Sequence, residues 1–157
     1  MKKYLFRGKR LGGGEWVQGG IAPAYHNPPG DPFALEAAQG YAILADGRAY
    51  AVEQGSIGQY SGLTDADGRE IFEDDLIRMD YSEEHQLAGR VRYGRYHSMS
   101  TGAPNQGWWI EWNEEFWRPE LAWWNRKIRV IGPWADNQAE WDRWKEEGAA
   151  HDRFQEN

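Results

Sequence analysis

The residue types best suited to chemistry are crowded into one short run, Glu70, Glu73, Asp74 and Asp75. Paired carboxylates can act as general acid and base, provided that burial or a nearby charge displaces at least one pKa. Acids in a turn region are normally solvated and keep ordinary values, so a hydrolase built on this cluster is the minor reading. Asp65, Asp67, Gly68 and Asp74 also fall on the third, fifth, sixth and twelfth places of a calcium loop. Leu63 at the first place offers no side-chain oxygen, the twelfth lacks the usual Glu, and flanking amphipathic helices are missing, so the calcium reading is set aside. His26, His85, His97 and His151 are widely separated, with no second histidine at ligand spacing. The chain has no cysteine, which removes thiolate nucleophiles, disulfides and thiolate zinc sites. No catalytic residue, cofactor or metal ligand is therefore assigned, and a non-enzyme is expected.

Binding chemistry has more to work with. Arg90, Arg92 and Arg95 alternate with Tyr93 and Tyr96, the residue types that meet phosphates and stack on bases. The group Lys2, Lys3, Arg7, Lys9 and Arg10 is the densest positive charge in the chain, although such runs are usually a solvated face. Against both stands a formal net charge of −7, which excludes a surface that attracts polyanions everywhere. Of the 10 tryptophans, nine lie from Trp108 onward. Indoles interleaved with Glu111, Asn113, Glu114 and Glu115 suit a glycan platform. A core wall with a subunit interface is favoured instead, because Trp108, Ile110 and Trp112 alternate as a core face requires. The interface candidates are Trp109, Trp117, Trp123, Trp124, Trp141 and Trp144.

The elements that must position these residues read as short strands. Residues 3–10 and 15–18 form two strands across a glycine triplet. Residues 41–45 and 48–52 flank Asp46-Gly47, a hairpin signal, and Asp67-Gly68 is another. The tetrapeptide Ala-Asp-Gly-Arg, at 45–48 and 66–69, suggests one turn solution used twice. Residues 77–81, 89–96, 108–112 and 128–131 complete the strands, with a polar loop over 98–107. Prolines 23, 28, 29 and 32 make an extended connector, leading to a helix over 33–39 capped by Asp31. Asn137 with Glu140 resembles a capping box for a last helix that carries Trp141 and Trp144 and stops at Gly148.

Three ordered stretches resemble the YopX family of phage and prophage proteins. They are the run 57–65 with 67–76; Phe6-Arg7-Gly8-Lys9-Arg10 with Gly14-Glu15-Trp16-Val17; and Ile128-Arg129-Val130-Ile131-Gly132 with Asp136-Asn137. The resemblance spans most of the chain, from about residue 4 to residue 141, with Asp74 standing where Gly is commoner and Pro133 and Gln138 interrupting the closing pattern. The resemblance carries no catalytic residue to transfer and implies phage origin.

The expectation is a mainly β (α+β) fold, a small antiparallel barrel or sandwich. Its parts are N-terminal hairpins and connector over 1–55, a YopX-like core over 56–135, and a C-terminal helix and tail over 136–157. A chain of 157 residues buries roughly two-thirds of its unfolded surface, so it can hold a real core. Only residues 4–6 separate the first lysines from Arg7, too few for a signal peptide, and no segment is long enough to span a membrane. The expected place is the cytoplasm of the bacterial host. The expected role is a non-catalytic, self-associating binding module whose further partner is a host or phage protein, with nucleic acid on the Arg90/Arg92/Arg95 strand as the alternative.

Overall fold

The computed structural model describes residues 4–23, 40–98 and 101–155. Lys2, Lys3, His26, most of the proline connector and the helix expected over 33–39 lie outside them. Contacts divide the chain into two compact units, Met1–Tyr60 and Ser61–Asn157, so the C-terminal helix belongs to the second unit.

In the first unit β1 (Phe6–Lys9) pairs antiparallel with β2 (Trp16–Pro23), β2 with β3 (Tyr41–Ala45), and β3 with β4 (Arg48–Ala51). The other edge of β1 takes up the start of β5 (Gly58–Thr64). Among the described residues, Ala42, Ile43 and Val52 are its buried apolar side chains. The β3–β4 turn has Asp46 and Gly47 both in the left-handed region, at φ 52 and 72, which suits a two-residue hairpin whose twist matches its strands.

In the second unit β5 runs into β6 (Glu70–Phe72), its neighbour in the sheet. A four-stranded antiparallel sheet follows. It comprises β7 (Asp75–Asp80), β8 (Gln86–His97), β9 (Pro104–Trp112) and β10 (Arg129–Pro133), in the order β10-β7-β8-β9. The strands do not close into a barrel. The sandwich alternative is the one realised, since Leu63 and Ile71 pack against Ile77, Leu87, Val91, Ile110 and Ile128 on one face of that sheet.

Strand alternation decides which residues reach which face. Ile77, Met79, Leu87, Val91, Ile110 and Trp112 enter the larger core, joined by Leu121 and Trp124 of the short helix α1 (Leu121–Trp124). Leu76 and Ala88 point the other way and meet Trp141 and Trp144 of helix α2 (Gln138–Gln155), with Trp134 beside them. The sheet is thus covered on both faces, and the expected alternation of Trp108, Ile110 and Trp112 is observed.

Local turn and cap readings are corrected in several places. The second Ala-Asp-Gly-Arg is not a copy of the first, because there only Gly68 has positive φ. Asp65, just ahead of it and 4% exposed, accepts the Asp67 and Arg69 amides, each at 2.9 Å, and the Val130 amide at 2.9 Å. That carboxylate serves as the acceptor for three backbone amides. Residue 44, ahead of the first turn, is a leucine and cannot do this. Strand β9 begins at Pro104, inside the loop expected over 98–107.

Gly148 does not stop α2, which continues to Gln155. A Cβ at Gly148 would lie 1.8 Å from the Asn113 carbonyl oxygen, so the glycine is a point of close approach between helix and sheet. Asn113 fastens the same region, donating to the Trp144 carbonyl at 3.0 Å and accepting the Ala88 amide at 3.0 Å. Asn137 uses its side-chain amide to donate to the Pro133 carbonyl at 2.7 Å, a tie to the preceding strand that the capping-box pattern did not foresee.

Candidate functional site

The arginine–tyrosine strand is the first candidate that the fold divides. Arg90, Arg92 and Tyr96 share one face of β8, while Tyr93 and Arg95 share the other by register. Arg90 donates to Asp74 Oδ1 at 2.9 Å, and its guanidinium lies 3.9 Å from the centre of the Trp134 ring. Only 15% of its side chain is exposed, whereas Arg92, 3.7 Å from Asp74, keeps 37%. Tyr93 packs on Trp108 and Tyr96 stacks on Trp109, with ring centres 5.2 and 6.1 Å apart. No continuous row of cations and rings remains on β8. In the first unit Arg10 pairs with Glu15 at 3.2 Å and lies over Tyr50, and Arg7 is buried beside Trp16.

The acid cluster is more buried than a solvated turn. Asp75 is fully buried, and its Oδ2 accepts the Phe72 amide at 2.8 Å. Asp74 has φ 66, left-handed backbone that Asp tolerates better than most residues. Loss of solvation raises the Glu73 pKa, repulsion from Asp74 adds to it, and Arg92 and Arg90 oppose. One acid is thus displaced upward, as general acid chemistry asks, but its neighbours are committed to Arg90 and to the backbone of the turn.

Of the interface candidates, Trp124, Trp141 and Trp144 are core residues, at 4%, 3% and 2% exposure. The physical reason is that α1 and α2 each turn these rings onto the sheet. Trp109 is half-buried, while Trp117 and Trp123 stay exposed, as does Tyr81. These three rim a groove of about 370 Å³ floored by Met79 and Trp124. Trp112 and Trp124 both donate indole N–H to the Arg118 carbonyl at 2.9 Å, which pins the segment carrying the rim. The Arg118 guanidinium lies 3.8 Å over Trp123. Asp80 and Lys127 also line an adjoining cavity of about 650 Å³ with Arg78, Arg126 and Arg129. This is a local basic surface on an acidic protein.

A third group gathers behind the aromatic rim. His85 from the β7–β8 turn, Glu114 just after β9 and His151 on α2 converge, with their ligand atoms all within 4.8 Å of one another. Glu114 is 6% exposed along its side chain; one carboxylate oxygen is hydrogen-bonded to His85 Nε2, and the other lies 3.2 Å from His151 Nδ1. The two imidazoles are 5.1 Å apart. Nothing in the spacing of these residues marks them, since strand pairing and helix docking bring them together.

A family model for YopX protein matches residues 36–138. The chain belongs to the YopX family. The matched segment holds β3 to β10, the aromatic groove, His85 and Glu114, whereas His151 and all but the first residue of α2 lie beyond it. The crystal structure of protein EF1440 from Enterococcus faecalis aligns over 88% of this YopX chain and 97% of its own, with TM-score 0.49 and 16% sequence identity. No curated protein matches the chain. No helix among the described residues is long and apolar enough to cross a membrane.

Proposed function

We propose that this YopX protein is a phage- or prophage-encoded accessory protein of the host cytoplasm that acts without catalysis, as a self-associating binding module. The observation that carries this reading is the exposed aromatic rim of Tyr81, Trp117 and Trp123, at 49%, 47% and 55% exposure around one groove. Large rings left in water beside one another are a typical mark of an interface, where Trp and Tyr anchor the buried centre. A second copy of the chain is the occupant, because tryptophan-rich faces of this kind are most readily kept soluble by pairing. Absence of catalysis is supported by Asp74 and Asp75, whose oxygens serve Arg90 and the Phe72 amide.

Light scattering on the purified chain at micromolar concentration tests it. The expected mass is a multiple of 18.1 kDa, and Trp117→Ser with Trp123→Ser returns the monomer. A strict monomer in the unaltered protein refutes the self-association.

The basic cavity of Arg78, Arg126, Lys127 and Arg129 favours a second reading, single-stranded nucleic acid bound along this cavity and the adjoining groove, with Trp123 of the groove as a stacking platform. Titration with a labelled oligonucleotide separates the two. Binding that weakens as salt rises, and that Arg126→Ala with Arg129→Ala reduces, supports it; salt-independent affinity removes it.

A further inference from the structure

We infer that His85, Glu114 and His151 form a binding site for a borderline divalent cation of the zinc class, which clips α2 to the β7–β8 turn and to the segment after β9. Two imidazole nitrogens and one carboxylate form a donor set that zinc favours, and three protein ligands leave a fourth position for water. Calcium and magnesium prefer all-oxygen sites, so the nitrogens select against them.

The geometry carries the inference. Tetrahedral zinc with bonds near 2.0–2.1 Å holds its ligand atoms about 3.3 Å apart, and Glu114 Oε2 stands 3.2 Å from His151 Nδ1. That nitrogen is buried and close enough to bond, yet it has no hydrogen-bond partner. An off-line contact of this kind suits a shared cation better than a shared proton. Glu114 and His85 stand closer than zinc ligands do, and a small rotation of the His85 imidazole, carried on a turn, opens the space. Glu114 is nearly buried, while the two histidines keep 32% and 41% of their side chains exposed, so the group lies at the edge of the unit and not deep in its core. Glu84, Glu115 and Asp152 adjoin the three ligands in sequence and add negative charge to attract the ion.

The clip also has a structural counterpart. The Glu115 amide already donates to both carboxylate oxygens of Asp152, at 3.3 and 3.1 Å, so the last turns of α2 meet this segment whether or not an ion is bound.

The test uses the untagged full chain, stripped with a chelator and titrated with zinc chloride by calorimetry and with cobalt chloride by visible absorption. One equivalent per chain is expected, with the ligand-field bands of low-coordinate cobalt and a higher unfolding temperature on saturation. His151→Ala and His85→Gln, each folded by circular dichroism, should weaken binding by about tenfold or more and abolish the thermal shift. His97→Gln should change nothing. Uptake below one equivalent, binding within about twofold of the unaltered chain in both ligand variants, or equal loss in His97→Gln overturns the site. Because His85 lies in an exposed turn, its variant keeps the test decisive if the helix variant fails to fold.

Discussion

Asp74 couples a strained backbone to a half-buried ion pair, and three substitutions separate the two. At φ 66 an ordinary L-residue is disfavoured by roughly 1–2 kcal/mol, while Asn and Asp adopt this region more readily and Gly does so freely. The Arg90 guanidinium, 15% exposed and bonded to Asp74 at 2.9 Å, loses a charge-assisted bond of about 1.5–3 kcal/mol when the carboxylate goes. Exposed pairs contribute ~0–1 kcal/mol and broken buried ones ~3–5, so about 2 kcal/mol is expected here. Asp74→Asn keeps the conformational tolerance and loses only the charge, about 2 kcal/mol. Asp74→Gly loses the same pair, and its relief of strain is offset by ~0.5–1 kcal/mol of extra chain entropy. Asp74→Ala loses both and should be worst, near 3 kcal/mol. Urea unfolding followed by tryptophan fluorescence reports mainly the second unit, where nine of the ten tryptophans lie. In about 1 M salt, where screening falls to roughly 3 Å, the Asn deficit should shrink while the gap between Asn and Ala persists. An Asn variant as stable as the parent, or an Ala variant no worse than Asn, refutes the reasoning.

Three further outcomes follow from the same structure. Glu73 has a folded pKa raised above the ordinary value of 4.5, so its ionisation opposes folding, and stability falls as pH rises from about 4.5 through the raised value. Glu73→Gln should therefore raise the unfolding temperature at pH 7, with the gain vanishing below about pH 4; a gain independent of pH would exclude burial and Asp74 repulsion as the cause. Gly148→Ala places a methyl group against the Asn113 carbonyl and should lower stability by about 1–3 kcal/mol, read as loss of helical signal at lower urea. Asp65→Ala leaves three backbone donors without their shared acceptor and should cost about 3 kcal/mol, whereas Asp67→Ala, half exposed and 3.6 Å from Arg129, should change stability by ~0.5 kcal/mol or less.

Much of the sheet was legible in the sequence because period-two alternation depends only on neighbours along one strand. Trp108, Ile110 and Trp112 on one face, Arg90 and Arg92 opposite Val91 and Tyr93, and the hairpin at Asp46-Gly47 all follow from that rule. What could not be read depends on partners far away in the chain. Gly148 looks like a helix stop until the Asn113 carbonyl is set against it. Trp141 and Trp144 look like interface rings until α2 is laid on Leu76 and Ala88. Arg90 looks available to phosphate until Asp74 and Trp134 enclose it. The gathering of His85, Glu114 and His151 has no local signature at all, since each comes from a different element. Asp74, by contrast, stood out in the sequence as a departure from the expected pattern, and its positive φ is a conformation that glycine adopts freely.

The placement of α2 bears on how the protein is made. Every strand among the described residues precedes it in the chain, so while the ribosome works through residues 138–155 the sheet face bearing Leu76 and Ala88 lacks the helix that covers it. Newly synthesised chains therefore pass through an interval with a bare apolar face, during which chaperone capture competes with helix docking. Slower translation just before codon 138 would lengthen that interval and lower the soluble yield without altering a single amino acid.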